Sequence, residues 1–489
     1  MAISTTIKSI QDIMRKDVGV DGDAQRIGQL VWMLFLKIFD DREQEWEMFN
    51  EDYRSPIPEP LRWRHWAADP EGMTGDELKA FVDNDLFPGL QQLQARGEDY
   101  RGVVIRNVFE DAYNYMKSGQ LMRQVINKLQ DGVNFNKASE RHELGDMYEQ
   151  ILKDLQSAGN AGEFYTPRAV TRFMVDRVDP KLDEVVMDPA CGTGGFLTST
   201  IEHKRRFVKT PEDEQNLQHA IRGIEKKPLP HLLATTNLIL HGIEVPGQVR
   251  HDNALAQPLR DWGPRDRVDV IVANPPFGGM EEDGIENNFP QAFRTRETAD
   301  LFMALFIQLL KEGGRAAVVL PDGFLFGEGM KTRLKEKLLT ECDLHTIVRL
   351  PNGVFNPYTS IKTNLLFFTK GRPTEAVWYY EHPYPEGYKS YSKTKPMRFE
   401  EFEREIAWWG TEEDGFADRE ETQYAWRVPV EEIQADNYNL DRKNPYAEAE
   451  EDHDPEELLA KYEQQQAEIQ ELRDQLRTIL GEALTSHED

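Results

Sequence analysis

Apolar residues recur along the first third of the chain with the period of helices that each bury one face. Within residues 1–160 they return every three or four positions, as expected for helices packed against one another. The clearest stripe comprises Ile27, Leu30, Val31, Leu34 and Ile38. This spacing predicts an N-terminal all-helical domain over residues 1–160.

The pattern changes near residue 161, where short apolar runs rich in β-branched residues begin to alternate with helical stretches. The candidate strands are residues 185–187, 221–225, 268–272, 316–320, 346–350 and 365–368, and a further strand is expected to end near 251–253. Strands separated by helices usually form a mostly parallel sheet that helices cover on both faces. The pattern therefore predicts an α/β core over residues 161–380.

Two segments of different composition follow residue 380. Residues 381–445 are rich in aromatic residues and contain prolines, and we expect an irregular extension there. Residues 446–489 combine an acidic linker with a polar, coiled-coil-like C-terminal helix. The seam positions of that helix have the 4-3 spacing of a coiled coil, and they are Tyr462, Gln465, Ile469, Leu472, Leu476 and Ile479. The seam predicts a partner helix, with packing on the protein's own domain as the alternative.

Charge and composition narrow the possible functions. The chain carries 58 basic and 87 acidic residues, a net charge of −29, which argues against binding nucleic acid through a basic surface of its own. The longest apolar run, residues 31–36, is far shorter than the roughly 20 residues that span a membrane. Two cysteines, Cys191 and Cys342, are too few for a disulfide scaffold or a cysteine zinc site, so we expect a reducing, cytoplasmic location. The histidines lack metal-ligand spacing, and no metal is expected.

The strongest local signal is an acid followed by a glycine-rich turn, Asp188-Pro-Ala-Cys-Gly-Thr-Gly-Gly-Phe196, directly after the first candidate strand. Glycines at a strand-to-helix turn let the backbone approach a ligand, and the following helix presents free N–H groups. Leu197 stands where a dinucleotide-binding turn would have its third glycine. The leading acid instead suits a ligand with an ammonium group. A tight turn without a ligand is the competing interpretation.

Two more acids stand at the expected carboxyl ends of the second and third strands. Glu225 is placed to hold a ribose diol through two hydrogen bonds. Asp252 can accept a hydrogen bond from an adenine amino group. Together with Asp188, these residues predict a nucleoside-like ligand with a cationic tail.

The tetrapeptide Asn274-Pro-Pro-Phe277 follows the strand that begins at residue 268. Pro275 and Pro276 stiffen the chain and remove two backbone donors. The side-chain oxygen of Asn274 and the carbonyl of Pro275 can then accept hydrogen bonds from one exocyclic amino group, which favours a pyramidal amine with its lone pair aimed at an electrophile. Phe277 offers a face on which a flipped base could stack. A plain Pro-Pro loop is the alternative.

These motifs resemble those of the gamma-class adenine-N6 DNA methyltransferases. Their arrangement along nearly the whole chain resembles the modification subunit of type I restriction-modification systems, which has a Rossmann-like S-adenosylmethionine-dependent methyltransferase core. A further matching segment is Glu163-Phe-Tyr-Thr-Pro-Arg168, ahead of a helix expected to start at Pro167 with Thr166 as its N-cap. The family usually has Gln where this chain has Glu163.

The resemblance implies a cofactor and a set of site residues. The cofactor is S-adenosylmethionine, with the segment 163–168 lying over it and Arg168 helping to fix that segment. The implied cofactor-binding residues are Glu163, Phe164, Tyr165, Thr166, Pro167, Arg168, Asp188, Gly192, Thr193, Gly194, Gly195, Glu225 and Asp252. Thr193, Gly194 and Gly195 are expected at the methionine end. The implied catalytic residues are Asn274, Pro275, Pro276 and Phe277.

The partners follow partly from the residues and partly from the resemblance. The stretch after the last core strand is short and acidic, so we expect recognition of double-stranded DNA to come from a separate specificity subunit that also takes the C-terminal helix. The resemblance implies two modification subunits to one specificity subunit, which a restriction subunit with its translocase can join.

Several alternatives stay open at this point. Methyltransferases with the same tetrapeptide also act on an rRNA guanine amine or a protein glutamine amide, and an inactive cofactor-binding scaffold is a third reading. Cys191 could be considered as a nucleophile, but it lies inside the glycine turn. Residues 278–298 are either a loop that closes over the base or a solvated surface loop.

Overall fold

The computed structural model describes most of the chain. The described residues are 3–95, 99–136, 138–156, 165–356, 358–392, 394–447 and the positions 462, 465–467, 469–470, 472–473 and 475–476. Contacts divide the chain into two compact units, Met1–Lys443 and Asn444–Asp489. The candidate site described below lies in the first unit.

Helices make up the first part of this unit, as the periodicity predicts. They are α1 (Ile3–Met14), α2 (Asp23–Phe49), α3 (Trp63–Trp66), α4 (Gly75–Phe81), α5 (Phe87–Gln91), α6 (Arg101–Phe109), α7 (Gly119–Gly132) and α8 (Ala138–Gln156). All five residues of the predicted stripe are buried in α2. Their burial is the main source of stability for these helices, since apolar area removed from water contributes roughly 25 cal/mol per Å².

One mixed sheet forms the centre of the unit, with strand order β3-β2-β1-β4-β5-β7-β6-β8-β9. The strands are β1 (Val186–Asp188), β2 (Ile221–Glu225), β3 (Val249–His251), β4 (Val268–Ala273), β5 (Leu310–Pro321), β6 (Cys342–Arg349), β7 (Thr363–Lys370), β8 (Ala376–Glu381) and β9 (Ala425–Pro429). The pairs from β3 across to β5 are parallel, as is β6 with β8. β7 is antiparallel to β5 and β6, and β9 is antiparallel to β8. The predicted mostly parallel α/β sheet is confirmed.

Helices connect these strands and cover the sheet. They are α9 (Arg168–Val178), α10 (Gly195–Arg205), α11 (Pro211–His219), α12 (Pro228–Leu240), α13 (Thr298–Leu309), α14 (Asp322–Phe326), α15 (Met330–Glu341), α16 (Glu403–Trp408) and α17 (Val430–Ala435). Strand β4 is buried at every position except Asp269, as expected for a strand covered on both faces. Leu232 and Leu233 of α12 join the apolar core of the N-terminal helices, so the helical part packs directly on the α/β part. The exact domain boundaries stay a prediction.

The region 381–445 is more regular than its composition predicts. It contributes the edge strand β9 and the helices α16 and α17. Its aromatic residues pack inward: Phe402 stacks on Phe173 of α9 at 4.1 Å between ring centroids, and Trp426 stacks on Tyr379 of β8 at 5.4 Å. The expectation of an irregular extension is wrong for these segments, because the aromatic residues complete the core instead of lining a loop.

In the second unit, the described positions between 462 and 476 are helical. Four of the predicted seam residues expose 43–59% of their surface, and they are Tyr462, Ile469, Leu472 and Leu476. The seam residue Ile479 lies outside the described residues. Among the residues that the structure describes, no helix has the length and apolar character needed to cross a membrane.

Candidate active site

A cavity of about 360 Å³ opens where β1, β2 and β4 end. Seven of the predicted site residues line it, and they are Thr166, Asp188, Gly192, Gly195, Glu225, Asn274 and Pro276. The wall does not include Tyr165, Pro167, Arg168, Thr193, Gly194, Asp252, Pro275 or Phe277. Glu163 and Phe164 lie outside the described residues. Strand ends from distant parts of the sequence therefore meet at one edge of the sheet, as predicted.

Asp188 is a buried acid at the end of β1, with only 1% of its surface exposed. Its Oδ1 accepts a hydrogen bond from the Ala190 N–H at 3.0 Å. Burial raises the pKa of Asp188 well above its ordinary value, and the nearby charge of Glu225 adds to the shift. A cationic ligand group at this carboxylate would offset the cost of burying its charge.

Glu225 ties the end of β2 to the glycine turn. Its Oε2 accepts from the Gly192 N–H at 2.9 Å, and its Oε1 accepts from the Lys227 N–H at 2.7 Å. The side chain is 6% exposed and lines the cavity. The residue therefore holds the glycine turn and also forms part of the cavity wall.

Two constraints, the backbone conformation and the packing on α12, act on the glycines of this turn. Gly192 and Gly194 have φ angles of 53° and 79°, which side chains rarely adopt. A Cβ on Gly194 would stand 3.3 Å from Ala234 and Leu238 of α12. Gly194 is therefore constrained by its own backbone conformation and by the packing of the turn on α12.

The segment that precedes α9 is anchored to the N-terminal helices. The Tyr165 hydroxyl and the Arg168 Nε both donate to the Glu149 carboxylate of α8, each at 2.7 Å. Arg168 Nη1 also donates to the Gly195 carbonyl at 2.7 Å and to the Thr198 hydroxyl at 2.6 Å. Arg168 thus fixes the segment against the glycine turn.

Helix α9 begins one residue later than predicted. It starts at Arg168 with Pro167 as its N-cap, and no side chain caps it. Pro167 has a ψ of 134°, outside the helical range. The expectation that Thr166 caps this helix is therefore wrong, and its hydroxyl has another use.

Asn274 shows the most informative polar contacts of the site. Its Nδ2 donates to Thr166 Oγ1 at 3.0 Å. Its Oδ1 is buried and has no hydrogen-bond partner. An unsatisfied buried acceptor costs about 1–3 kcal/mol, and Asn274 lines the cavity. This arrangement fits a ligand donor, such as an exocyclic amino group, that would satisfy the oxygen.

Phe277 is packed away from the cavity in this structure. It is 8% exposed, and its ring meets Phe355 edge-to-face at 6.4 Å between centroids. The predicted face for a stacked base is therefore not open here. Pro276, by contrast, is exposed and lies on the cavity wall.

The loop after the tetrapeptide forms part of the cavity wall, which sequence reasoning left open. Lys226 forms ion pairs with Glu281 at 3.2 Å and Glu282 at 2.9 Å. Asn253 Nδ2 donates to Glu281 Oε2 at 3.0 Å. These contacts tie residues 281–282 to the ends of β2 and β3, so this stretch is not a freely solvated loop. In the sequence, the one indication of this contact is a lysine, Lys226, directly after the predicted site residue Glu225.

Two remaining chemistries find no support in the geometry. Cys191 is buried, and its burial together with the Asp188 and Glu225 charges raises the pKa of its thiol well above the ordinary value. That environment disfavours the thiolate that a nucleophile needs. Among the described residues, no three or more His, Cys, Asp or Glu side chains form a group that could hold a metal ion.

Two family models match the chain. The model described as N-6 DNA Methylase matches residues 139–454. The model described as the HsdM N-terminal domain matches residues 3–129. Together they cover the helical part and the α/β part.

The chain is also similar to curated proteins and to solved structures of type I restriction systems. The chain is 65% identical to the methylase subunit of the type I restriction enzyme EcoEI of Escherichia coli, over 100% of this chain and 99% of that protein. It is 46% identical, with a TM-score of 0.81, to the modification subunit of a proposed type I restriction enzyme from Vibrio vulnificus YJ016, covering 91% of this chain and 97% of that one. A chain from a structure of type I R-M complex assembly and conformational transition is 36% identical, with a TM-score of 0.82 and 98% of each chain covered.

Proposed function

The chain belongs to the N-6 DNA methylase family, and from this premise we propose that it transfers a methyl group from S-adenosylmethionine to the exocyclic N6 of a flipped adenine in DNA. It is the modification subunit of a type I restriction-modification complex. The observation that carries the proposal for the site is the buried, unpartnered Oδ1 of Asn274, a residue that lines the same cavity as two buried acids, Asp188 and Glu225.

The residues at the strand ends fit the cofactor of this family. S-adenosylmethionine, when bound, supplies an electrophilic methyl group. We infer that Asp188 pairs with its ammonium group, because burial makes a charged partner favourable for that carboxylate. We infer that Glu225, which lines the cavity while it holds Gly192 and Lys227, accepts hydrogen bonds from the ribose hydroxyls. The backbone from Gly192 to Gly195 approaches the methionine end.

The tetrapeptide prepares the amine for attack. Asn274 Oδ1 and the Pro275 carbonyl accept the two hydrogens of the adenine N6 amino group. With both hydrogens held, the nitrogen becomes pyramidal and its lone pair leaves conjugation with the ring. Prepositioned acceptors of this kind act mainly by orientation and electrostatics.

Substitution of Asn274 tests this assignment. In the assembled complex, Asn274→Ala should lower methyl transfer to a cognate duplex by about 100- to 1,000-fold, the usual loss when one prepositioned hydrogen-bonding group is removed from a reacting centre. Affinity for S-adenosylmethionine, measured by calorimetry, should stay within about twofold. Asn288→Ala is the control, because the Asn288 side chain donates to the carbonyls of Leu255 and Ala256 and lies off the cavity wall.

The chemical identity of the product and the transfer activity of Asn274→Ala distinguish the proposed function from its alternatives. Digestion of the methylated duplex should yield N6-methyladenine. Normal transfer by Asn274→Ala would remove the tetrapeptide from the mechanism, and methyl transfer to RNA or to a protein amide instead of DNA would overturn the proposed substrate.

We further propose that sequence recognition and most phosphate contacts come from a specificity subunit, with two modification subunits for each specificity subunit. A net charge of −29 leaves this chain poorly suited to neutralise phosphates. The described seam residues of the C-terminal helix are exposed, as expected for a helix that awaits a partner. A restriction subunit would join this assembly.

Deletion of residues 455–489 tests the partner role of that helix. The truncated chain should bind S-adenosylmethionine normally, because the cofactor site lies in the first compact unit. It should fail to co-elute with the specificity subunit in size-exclusion chromatography, and methylation should be lost with the assembly. Sequence-specific methylation by the full-length chain alone, or unimpaired assembly by the truncated chain, would contradict the proposal.

A further inference from the structure

We propose that Thr166 is a positioning residue for methyl transfer: its hydroxyl holds the carboxamide of Asn274 so that Oδ1, and not Nδ2, faces the target amine. This inference rests on the proposed function of the tetrapeptide. It assigns to Thr166 a role distinct from capping α9 and from binding the cofactor.

The geometry on which this rests is a single hydrogen bond between two segments 108 residues apart. Asn274 Nδ2 donates to Thr166 Oγ1 at 3.0 Å. Both residues are half-buried and both line the cavity. The other end of the same carboxamide, Oδ1, is the buried atom without a partner.

The chemistry of the amide explains why this bond matters. An asparagine side chain has one end that only donates and one end that only accepts. An adenine amino group needs an acceptor, so Nδ2 must point elsewhere and must itself be satisfied. The terminal torsion of asparagine is broad and roughly two-fold, so the carboxamide needs an outside contact to fix it. A hydroxyl lone pair of Thr166 supplies that contact.

Thr166 is itself held firmly. Its neighbour Pro167 has a fixed φ of −54°. On either side, Tyr165 and Arg168 are both bonded to Glu149 of α8. The hydroxyl is therefore presented from a segment anchored on two sides, which is what prepositioning requires.

This arrangement predicts a kinetic signature. Loss of the hydroxyl should impair the methyl-transfer step and leave cofactor affinity intact, because Asn274 acts on the target base. Substitution of a residue that merely touched the cofactor would weaken cofactor affinity and leave the transfer step intact. Substitution of a purely structural residue would not affect one of the two selectively.

The test compares two substitutions at one position in the methylase assembled with its specificity subunit. Thr166→Val keeps the shape of the side chain and removes the hydroxyl; it should lower the single-turnover rate at saturating S-adenosylmethionine and cognate duplex by about 10- to 100-fold. Thr166→Ser keeps the hydroxyl and should restore the rate to within about threefold of the wild type. Calorimetric affinity for S-adenosylmethionine should change by less than about twofold in both.

Thr171→Val is the matched control. Thr171 lies in the first turn of α9, and its buried hydroxyl bonds to Ser199 Oγ at 2.8 Å and to the Arg168 carbonyl. Its loss should leave the transfer rate unchanged. If Thr171→Val slows transfer as much as Thr166→Val, the effect belongs to the packing of α9 and the inference falls.

Other outcomes would also overturn the inference. They are an unchanged rate in Thr166→Val, a weakened cofactor affinity with a normal rate, or a failure of Thr166→Ser to restore transfer. Asn274→Ala, measured beside these variants, separates the two claims. If it is inactive while Thr166→Val is normal, only the role of Thr166 is wrong; if it is active, the proposed function of the tetrapeptide is wrong as well.

Discussion

At the cofactor end of the cavity, the acids accept hydrogen bonds from backbone N–H groups, whereas at the base end the key groups contact side chains from distant segments. Asp188 accepts from the N–H two residues later, and Glu225 accepts from the glycine turn and from the residue two positions on. Asn274 donates to the Thr166 hydroxyl, and its Oδ1 has no partner among the described residues. Phe277 is packed against another ring instead of facing the cavity.

The difference indicates which half is ready before substrate arrives. The N–H groups that these acids accept from are fixed by the strands and turns that carry them, so the acids of the cofactor end are prepositioned. The base end has an unsatisfied acceptor and a covered aromatic ring, and both would change when a flipped adenine enters. Substitutions at the two ends should therefore affect different measured quantities.

The largest effect at the cofactor end is expected from Gly194→Val. A side chain at a φ of 79° is strained, and its Cβ would press on Ala234 and Leu238 at 3.3 Å. Because the turn and α12 are packed together, one of them has to move by a few tenths of an ångström, and the strained backbone of the turn moves with it. We expect affinity for S-adenosylmethionine to fall by at least about 100-fold, equivalent to roughly 2.7 kcal/mol, as measured by calorimetry.

Gly387→Val is the matched control for that substitution. Gly387 has a nearly identical φ of 78° but open space around its Cβ, and it does not line the cavity. It should lower the melting temperature through backbone strain and leave cofactor affinity unchanged. Normal binding by Gly194→Val would show that the cofactor site does not need the turn.

Asp188→Asn should weaken cofactor binding and stabilise the cofactor-free protein. Loss of a charged hydrogen-bonding partner usually costs about 1.5–3 kcal/mol, so we expect roughly 30-fold weaker binding of S-adenosylmethionine. In the free protein, the raised pKa of Asp188 means that its ionised form is disfavoured by folding. The protonated Asp188 carboxyl contributes fully to the free energy of unfolding below its ordinary pKa of 3.8. That contribution is lost as the pH rises through the folded-state pKa.

The raised pKa of Asp188 determines how the melting temperature of Asp188→Asn should change with pH. The melting temperature of Asp188→Asn, relative to the wild type without cofactor, should rise more at pH 8 than at pH 5, measured by scanning fluorimetry. Excess S-adenosylmethionine should reverse the order, because only the wild type gains strongly from the ligand. A variant less stable than the wild type at every pH would show that Asp188 is a structural acid.

Phe277→Leu sharpens the comparison at the base end. Leucine keeps most of the apolar volume but offers no aromatic face, and stacking contributes about 1–3 kcal/mol per base. We expect the KM for DNA to rise about 10-fold with cofactor affinity unchanged. Phe355→Leu is the control, since it breaks the same ring pair from the other side. Equal losses in both variants would assign the effect to packing.

The sequence predicted those features of the molecule that depend on local pattern. The strand ends at Asp188 and Glu225 follow from period and from turn chemistry, and both residues lie where expected on the cavity wall. The contact between Thr166 and Asn274, the packing of Phe277 and the constraint on Gly194 join segments far apart in the chain. No spacing rule reports such contacts, because they arise only when the sheet and its helices pack together.

The smallest predicted effect concerns the contact between the N-terminal helices and the cofactor turn. Glu149 of α8 accepts from both Tyr165 and Arg168, and Arg168 in turn donates to the Gly195 carbonyl. Glu149→Gln keeps an acceptor but removes the charge, so the bond to Arg168 weakens by about 1 kcal/mol. Since the cofactor end is otherwise held by its own backbone, affinity for S-adenosylmethionine should fall only about threefold to fivefold.

Glu47→Gln is the control for this substitution. Glu47 also accepts from two side chains, those of Arg62 and Arg64, but within the N-terminal helical part and away from the cavity. The two variants should lose similar stability, and only Glu149→Gln should weaken cofactor binding. A loss of 100-fold or more in Glu149→Gln would break the comparison, because the cofactor end would then depend on a distant side chain as much as the base end does.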